Sequence, residues 1–300
     1  MAFALIRPTV RTWVLGGGGG RGAAQVGVID ALMAAGVEPP NNLLGVSVGA
    51  LNGFTFAAFP SRAGVQLLRE TWLSRQAQQV FKPRPLSGLV ERLQGQRRLS
   101  LLSSLALTRL LRRQLEITGI DRFEQLRLPL GVGVTDLAAG HGEFIRSGPL
   151  LPALLASAAV PAVFPSVALD GRRYIDGGVA DNDPIGRAVT DGAREVIAIS
   201  LMAGPSGDQY PSGWGAAIVG PVMVSLHLRL LGEFERWRGR ARITVLCPLM
   251  PPRLGWDLRP SGVGEMMERA REATARLLAE RGSRLFRRSG IHYLDLGYEL

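Results

Sequence analysis

Ser47 is the residue whose neighbours best equip it for covalent chemistry. It sits in Gly45-Val46-Ser47-Val48-Gly49, after the apolar pair Leu43-Leu44 and before the small-residue run Ala50-Leu51-Asn52-Gly53. A serine with a glycine two residues away on each side, between a strand and a helix, is the nucleophile-elbow pattern. Such a turn is strained, tolerates only small neighbours, and points the hydroxyl outward near the N-terminal dipole of the next helix. An ordinary glycine-rich strand-to-helix turn with a solvated serine shares this short pattern, so the rest of the chain must separate the two. A serine hydroxyl also needs a positioned base at neutral pH. His292 has the chain order of an α/β-hydrolase histidine, with acids such as Asp257 ahead of it. Its setting, Gly290-Ile291-His292-Tyr293-Leu294-Asp295, reads as a terminal strand and not as a loop.

A second group of residues suits anion binding. Gly16 to Gly20, then Arg21-Gly22, follow the apolar run Trp13-Val14-Leu15. Unhindered backbone N–H groups between a strand and a helix form a nest for a phosphate or an oxyanion. Gly17-Gly18-Gly19-Gly20-Arg21-Gly22 also fits the G-x-G-x-x-G of dinucleotide sites. Those sites want an acid about twenty residues on, at the end of the second strand. This chain has Gly45-Val46-Ser47 there, and Glu38 falls before the turn. Arg21-Gly22-Ala23 lacks the Gly-Lys-Ser/Thr of a phosphate-binding Walker loop. A hydrolytic site would use both loops, because adjacent parallel strands bring the nest and the serine to one sheet edge.

The elements that must hold these residues are legible as periodicity. Trp13-Val14-Leu15 predicts a buried strand, and Ala23 to Ala35 a helix ended by Gly36. Pro39-Pro40-Asn41-Asn42 predicts a turn, Leu43-Leu44 a second strand, and the segment after Ser47 a buried helix. This βαβα start implies a parallel sheet with right-handed crossovers. Ser61 to Thr118 reads as helical, broken at Pro83 and Pro85, with a Leu-rich amphipathic stretch from Leu99 to Leu115. Leu128 to Asp136 reads as a strand with Glu143 to Arg146 as its hairpin partner, and Leu150 to Ala159 as a small-residue helix. Ser166 to Leu169 and Arg172 to Ile175, joined by Asp170-Gly171, form a strong hairpin signal that delivers Asp176-Gly177-Gly178. That hairpin can present the Asp176 carboxylate at the same sheet edge, with the two glycines turning the chain away. An aspartate that only bonds its own turn is the other reading. Asp170 is accounted for by its hairpin, and Asp181-Asn182-Asp183-Pro184 by a helix N-terminus. Pro184 to Asp191 is expected to be helical, Glu195 to Leu201 and Arg242 to Cys247 to be strands, and Gly264 to Arg288 to be a long helix. Gly204 to Gly215 is rich in Gly, Pro and Ser, and Ala216 to Leu231 is mostly apolar but interrupted by Pro221.

Composition narrows the class. The chain has 300 residues, of which 46% are hydrophobic, enough for a substantial core and one large domain. Its net charge of +10 comes almost wholly from arginine, with Lys82 the only lysine. That arginine excess reads first as compositional bias, and otherwise as attraction toward anionic surfaces, acidic lipid headgroups before nucleic acid. Zinc-finger spacing, basic-region heptads and RNP-like aromatic runs are absent, so nucleic acid is not an expected partner. The single cysteine, Cys247, lies in an apolar run and excludes an intrachain disulfide. His141, His227 and His292 lack metal-ligand spacing, and no metal is expected. With no signal-peptide pattern at Met1 to Thr12 and no membrane-spanning apolar run, the expected location is cytoplasmic.

Taken in order, Leu15 to Gly22, Gly45 to Gly53, Ala156-Ser157-Ala158-Ala159-Val160-Pro161 with Phe164-Pro165, and Asp176-Gly177-Gly178 resemble the motifs of patatin-like phospholipases. The resemblance spans about Thr12 to Arg187. It implies a three-layer α/β/α sandwich with a mainly parallel central sheet, and fatty-acyl ester hydrolysis by a Ser-Asp dyad without metal or cofactor. By resemblance Ser47 is the nucleophile and Asp176 the base. The amides of Gly17, Gly18, Gly19 and Gly20, with Arg21 and Gly22, form the oxyanion loop, Gly45 and Gly49 shape the elbow, and Gly177 and Gly178 complete the aspartate motif. Family members often carry Ser or Asp where this chain has Gly16, a change expected to loosen the loop. Residues 12–188 are expected to form the catalytic core and residues 189–300 to complete the same domain. A lipid or phospholipid ester is the expected substrate, with peripheral membrane contact through Leu99 to Leu115 or Ala216 to Leu231. A catalytically silent lipid-binding protein and a nucleotide-binding protein using the glycine loop are the alternatives.

Overall fold

Strict alternation of large apolar side chains explains why the central strands are buried on both faces. Trp13 and Leu15 pack into one hydrophobic cluster while Val14 packs into another. Leu43 and Leu44 divide in the same way, as do Ile197 and Ile199 against Val196 and Ala198. Strands that bury both faces require helices on each side, the arrangement of a parallel sheet. The computed structural model describes residues 10–80, 104–202, 214–250 and 260–298.

The strands are β1 (Arg11–Leu15), β2 (Asn42–Val46), β3 (Leu130–Asp136), β4 (His141–Ile145), β5 (Val167–Leu169), β6 (Arg172–Asp176), β7 (Glu195–Ile199), β8 (Arg242–Leu249) and β9 (Gly290–Asp295). They form one sheet in the order β5-β6-β3-β2-β1-β7-β8-β9, with β4 paired to β3. Strands β3, β2, β1, β7, β8 and β9 run parallel to their neighbours. The hairpin strands β4, β5 and β6 pair antiparallel at the other end. The described helices are α1 (Gly22–Ala34), α2 (Val48–Ala58), α3 (Arg62–Leu73), α4 (Arg75–Val80), α5 (Ser104–Thr118), α6 (Leu150–Ser157), α7 (Ile185–Thr190), α8 (Trp214–Trp237) and α9 (Pro260–Arg281). The larger cluster joins α1, α2, α3, α6 and α9 to one sheet face, with Trp13 stacked on Phe56 at 5.4 Å. The smaller cluster joins α7 and α8 to the other face. The fold is therefore a three-layer α/β/α sandwich around a mostly parallel sheet.

Most of the expected elements are present, with four departures. Helix α1 is buried on nearly its whole surface because α9 lies across it; a Cβ at Gly27 would collide with the Met267 carbonyl. Helix α8 runs unbroken through Pro221 to Trp237. The long C-terminal helix stops at Arg281, where Gly282 takes a positive φ of 52° and a 3-10 turn follows to Phe286. The Asp181 to Pro184 segment does not cap α7: no side chain bonds its N-terminus, and Asn182 and Asp183 turn into the protein instead. Pro83, Pro85, the stretch from Leu99 to Ser103 and most of Gly204 to Gly215 lie outside the described residues. No described helix is long and apolar enough to cross a membrane.

Candidate active site

The parallel register places the two glycine-rich turns side by side. Leu15 at the end of β1 pairs with Gly45 near the end of β2, so the chain leaves both strands at one edge. Ser47 leaves β2 with φ 54° and ψ −127°, a conformation that strains any residue with a side chain. Its surroundings over-determine that turn. A Cβ at Gly45 would lie 2.6 Å from the Ala50 Cα, and one at Gly49 would strike the carbonyl of Leu15. The Ser47 N–H donates to Ser157 Oγ at 2.9 Å, and the Ser157 hydroxyl donates to the Gly133 carbonyl at 2.7 Å. Ser157, fully buried at the end of α6, thus pins the elbow to β3.

Asp176 ends β6, which pairs with β3 beside β2. Its N–H donates to the Ala159 carbonyl at 3.0 Å, and the Asp176 carbonyl accepts from Thr135 Oγ at 2.9 Å. Gly177 presses so closely on Gly133 that a Cβ would strike that carbonyl, which carries the aspartate close to β3. Asp176 Oδ1 accepts the Gly178 N–H at 2.7 Å, while Oδ2 is buried without a hydrogen-bond partner. Burial pushes this carboxyl up from 3.8 to about 6, against the smaller opposing effects of the Ser47 hydroxyl and the Gly178 amide. The Ser47 hydroxyl is thus the side-chain group that favours the charged carboxylate. Asp176 also makes the local turn bond that the simpler sequence reading expected.

The glycine loop completes the cluster. A Cβ on Gly17 would lie 3.0 Å from the Ser47 Cβ, which puts the loop against the serine. The N–H groups of Gly17 and Gly18 donate to no described protein group. The Gly16 carbonyl accepts from Gln25 Nε2 at 2.8 Å, and Gln25 also bonds the Ile199 carbonyl at 3.2 Å. Because a planar trans peptide points its C=O and the next N–H in opposite directions, Gln25 fixes the direction of the Gly17 N–H. Gln25 accepts from Asn52, which in turn accepts from Trp72, at 3.0 and 2.9 Å. Gly19 takes a positive φ of 58° and opens the 3-10 turn through Gly20 to Arg21, and Gly22 lets α1 begin against Val48 and Trp72. At Gly16, the Asp183 carboxylate fills the space a Cβ would occupy.

Arg21 is buried, with Nε 3.5 Å from the Gly18 carbonyl and a terminal nitrogen 3.3 Å from Met202 Sδ. It makes no salt bridge with a described residue, and burial lowers its pKa from 12.5 to about 10. His292 lies on β9, three strands from β1, and is not brought to this edge. Cys247 is a core residue of β8 whose thiol burial pushes up. No cluster of described His, Cys, Asp or Glu side chains could hold a metal ion.

A family model for patatin-like phospholipases matches residues 13–189. The chain belongs to the patatin-like phospholipase family. An uncharacterised NTE family protein of Mycobacterium tuberculosis is 33% identical over 201 residues, covering 66% of this chain and 51% of that protein. Lysophospholipase nte1 of Aspergillus terreus is 28% identical over 217 residues, covering 69% of this chain and 13% of that protein. The chain thus spans about half the length of the first relative and a small part of the second. Among solved structures, VipD from Legionella pneumophila aligns with 91% of this chain and 67% of its own at a TM-score of 0.47 and 12% identity.

In this patatin-like chain several supporting residues escaped sequence reading. Ser157 and Asn52 were inside recognised motifs, and each is a polar residue in a small-residue apolar run, a visible signal that a partner is needed. Gln25, inside an otherwise apolar helix face, carried the same signal. Asn182 and Asp183 were read as caps because Asp-Asn-Asp-Pro is a common helix start.

Proposed function

We propose that the chain is a serine lipid acyl hydrolase of phospholipase or esterase type, with Ser47 as nucleophile and Asp176 as base. The observation that carries this reading is a strained Ser47 turn whose hydroxyl favours the charge of a buried carboxylate, the Oδ2 of which has no hydrogen-bond partner. Asp176 takes the hydroxyl proton as Ser47 Oγ bonds to the carbonyl carbon of an acyl ester. The carbonyl oxygen becomes an oxyanion, which the free N–H groups of Gly17 and Gly18 stabilise. Collapse breaks the ester C–O bond, and Asp176 gives its proton to the departing alcohol. Water then attacks the acyl-serine, its proton passes to Asp176, and the proton returns to Ser47 as the fatty acid leaves.

A carboxylate is a weaker base than an imidazole, so the raised pKa of Asp176 favours this role near neutral pH. The lysophospholipase name of one relative supports a lipid with a single acyl ester as the first substrate to test. Exposed Val160 and Val179 flank the aspartate motif and offer an apolar rim for an acyl chain or a membrane surface. The test is labelling by a fluorophosphonate together with lipid hydrolysis read by mass spectrometry. Wild type should label and release fatty acid; Ser47→Ala should do neither. Unchanged hydrolysis by both Ser47→Ala and Asp176→Asn would refute the assignment.

A further inference from the structure

Asp183 is a buried acid that the proposed reaction does not use. Its side chain is 3% exposed and lies on the turn between β6 and α7. Oδ2 accepts the Asn182 amide at 2.9 Å, and Oδ1 is buried with no partner. Ser200, at the end of β7, is the other polar side chain that favours its charged form. The titratable groups that feel its charge are Asp181, on the same turn, and Cys247, on β8. Within the described residues it makes no salt bridge. Burying such a carboxylate opposes folding, because Oδ1 has no compensating partner among the described residues.

Its neighbours show what it holds. Asn182, also 3% exposed, donates the same amide nitrogen to the Gly17 carbonyl across a long 3.5 Å. The Asn182 Oδ1 lies 2.7 Å from where a Gly17 Cβ would stand and 2.9 Å from that position at Gly178. Asn182 is therefore wedged between the glycine loop and the aspartate motif, touching both halves of the site. A carboxylate can only accept hydrogen bonds, so Asp183 dictates which end of the Asn182 amide faces it. The amide nitrogen is then committed to the side where the Gly17 carbonyl lies. Planarity of the Gly17-Gly18 peptide turns the Gly18 N–H the opposite way. Gln25 does the same for the preceding peptide from the other side of the loop.

We propose that Asp183 and Asn182 are a coupled pair of positioning residues that orient the Gly18 amide for oxyanion stabilisation. The assignment rests on the hydrolase reading above and extends it to residues remote from the ester. The test compares Asp183→Ala, Asp183→Asn, Asn182→Ala and the double alanine variant. The measurements are steady-state hydrolysis of a soluble medium-chain ester and the rate of fluorophosphonate labelling. Asp183→Ala and Asn182→Ala should each lower kcat about tenfold to a hundredfold with little change in KM, since misplaced donors weaken transition-state binding. The double variant should be no worse than either single one, because the two act through one bond. Asp183→Asn keeps an acceptor for Asn182 and should recover most of the rate.

Wild-type kcat in Asp183→Ala or Asn182→Ala, losses that multiply in the double variant, or no recovery in Asp183→Asn would each overturn the pairing. If Asp183→Ala does not fold, Asn182→Ala decides alone: full activity overturns the assignment, and a kcat-specific loss supports it. Failure of the hydrolase reading is distinguishable, because wild type would then neither label nor turn over.

Discussion

Replacing Asp176 by Asn should abolish hydrolysis while making the protein more stable at neutral and alkaline pH. The carboxyl is fully buried, and burial raises its pKa from 3.8 to about 6. That rise corresponds to ~3 kcal/mol by which the folded protein disfavours the charged form. An aspartate with a folded pKa above its unfolded value binds protons more tightly when folded. Stability is therefore greatest below the unfolded value near 4 and falls as pH rises to about 6. Above that pH the full penalty is present, and an uncharged amide of similar shape removes it. Asp176→Asn should then melt on the order of 5 °C above wild type at pH 8, with the difference shrinking toward zero at pH 4. Thermal melts followed by circular dichroism across that pH range read the effect directly. The catalytic counterpart is a fall of about tenfold in kcat/KM between pH 7 and pH 5, because the base is protonated through its pKa near 6. A variant less stable than wild type at pH 8, or wild-type kcat/KM flat down to pH 5, would refute the reasoning that Asp176 is a desolvated base.

Other perturbations follow from the contacts around Ser47. Ser157→Ala removes the acceptor for the Ser47 amide and the donor to Gly133, and should cost about 1–3 kcal/mol in a urea melt together with a lower kcat. Gly49→Ala puts a methyl group against the Leu15 carbonyl at the end of β1, so the variant should fail to give soluble folded protein. Gln25→Leu keeps the size of the side chain but frees the Gly16 carbonyl; its kcat should drop more than its melting temperature predicts, read by parallel melts and ester kinetics. His292→Ala, on a strand remote from the serine, should leave kcat within about twofold of wild type in the same ester assay.

The fold was legible in the sequence because its signals are local. Apolar triplets such as Trp13-Val14-Leu15 and the Asp170-Gly171 turn declare strands and a hairpin without reference to anything distant. Asp170 and Gly171 do take the positive φ values, 50° and 76°, that such a turn requires. The candidate site was legible in part for the same reason, since the glycine loop, the elbow and the Asp-Gly-Gly run each encode a backbone shape. What escaped was the set of side chains that lock these shapes to one another. Ser157 lies 110 residues from Ser47 and Asn182 lies 165 from Gly17. A bond across such a separation leaves no periodic trace, only an unexplained polar residue in apolar company. The Asp181 to Pro184 segment was misread because a cap and an inward-facing strut use the same residue types. Only packing of that turn under the glycine loop selects between them.

That distribution of support explains how the chain tolerates so many unfavourable features at one sheet edge. Ser47 holds a backbone conformation that disfavours any side chain. Asp176 and Asp183 each bury an unpartnered carboxylate oxygen, and Arg21 buries a guanidinium without a described carboxylate. Each opposes folding, and together they would unfold a marginal protein. They persist because the strands and helices beneath them are packed independently of the site: Trp13, Phe54, Phe56 and Leu43 are fully buried whatever the charge of Asp176. Asp176 Oδ2 and Asp183 Oδ1 are two of the buried side-chain atoms without a hydrogen-bond partner among the described residues; the others, on Trp13, Arg69 and Gln114, belong to β1, α3 and α5. On the proposed mechanism, the groups at the site would exchange their missing partners for an ester, its oxyanion and a proton. Neutralising Asp176 should therefore leave the protein no less stable while slowing it, the pattern expected where stability has been surrendered for chemistry.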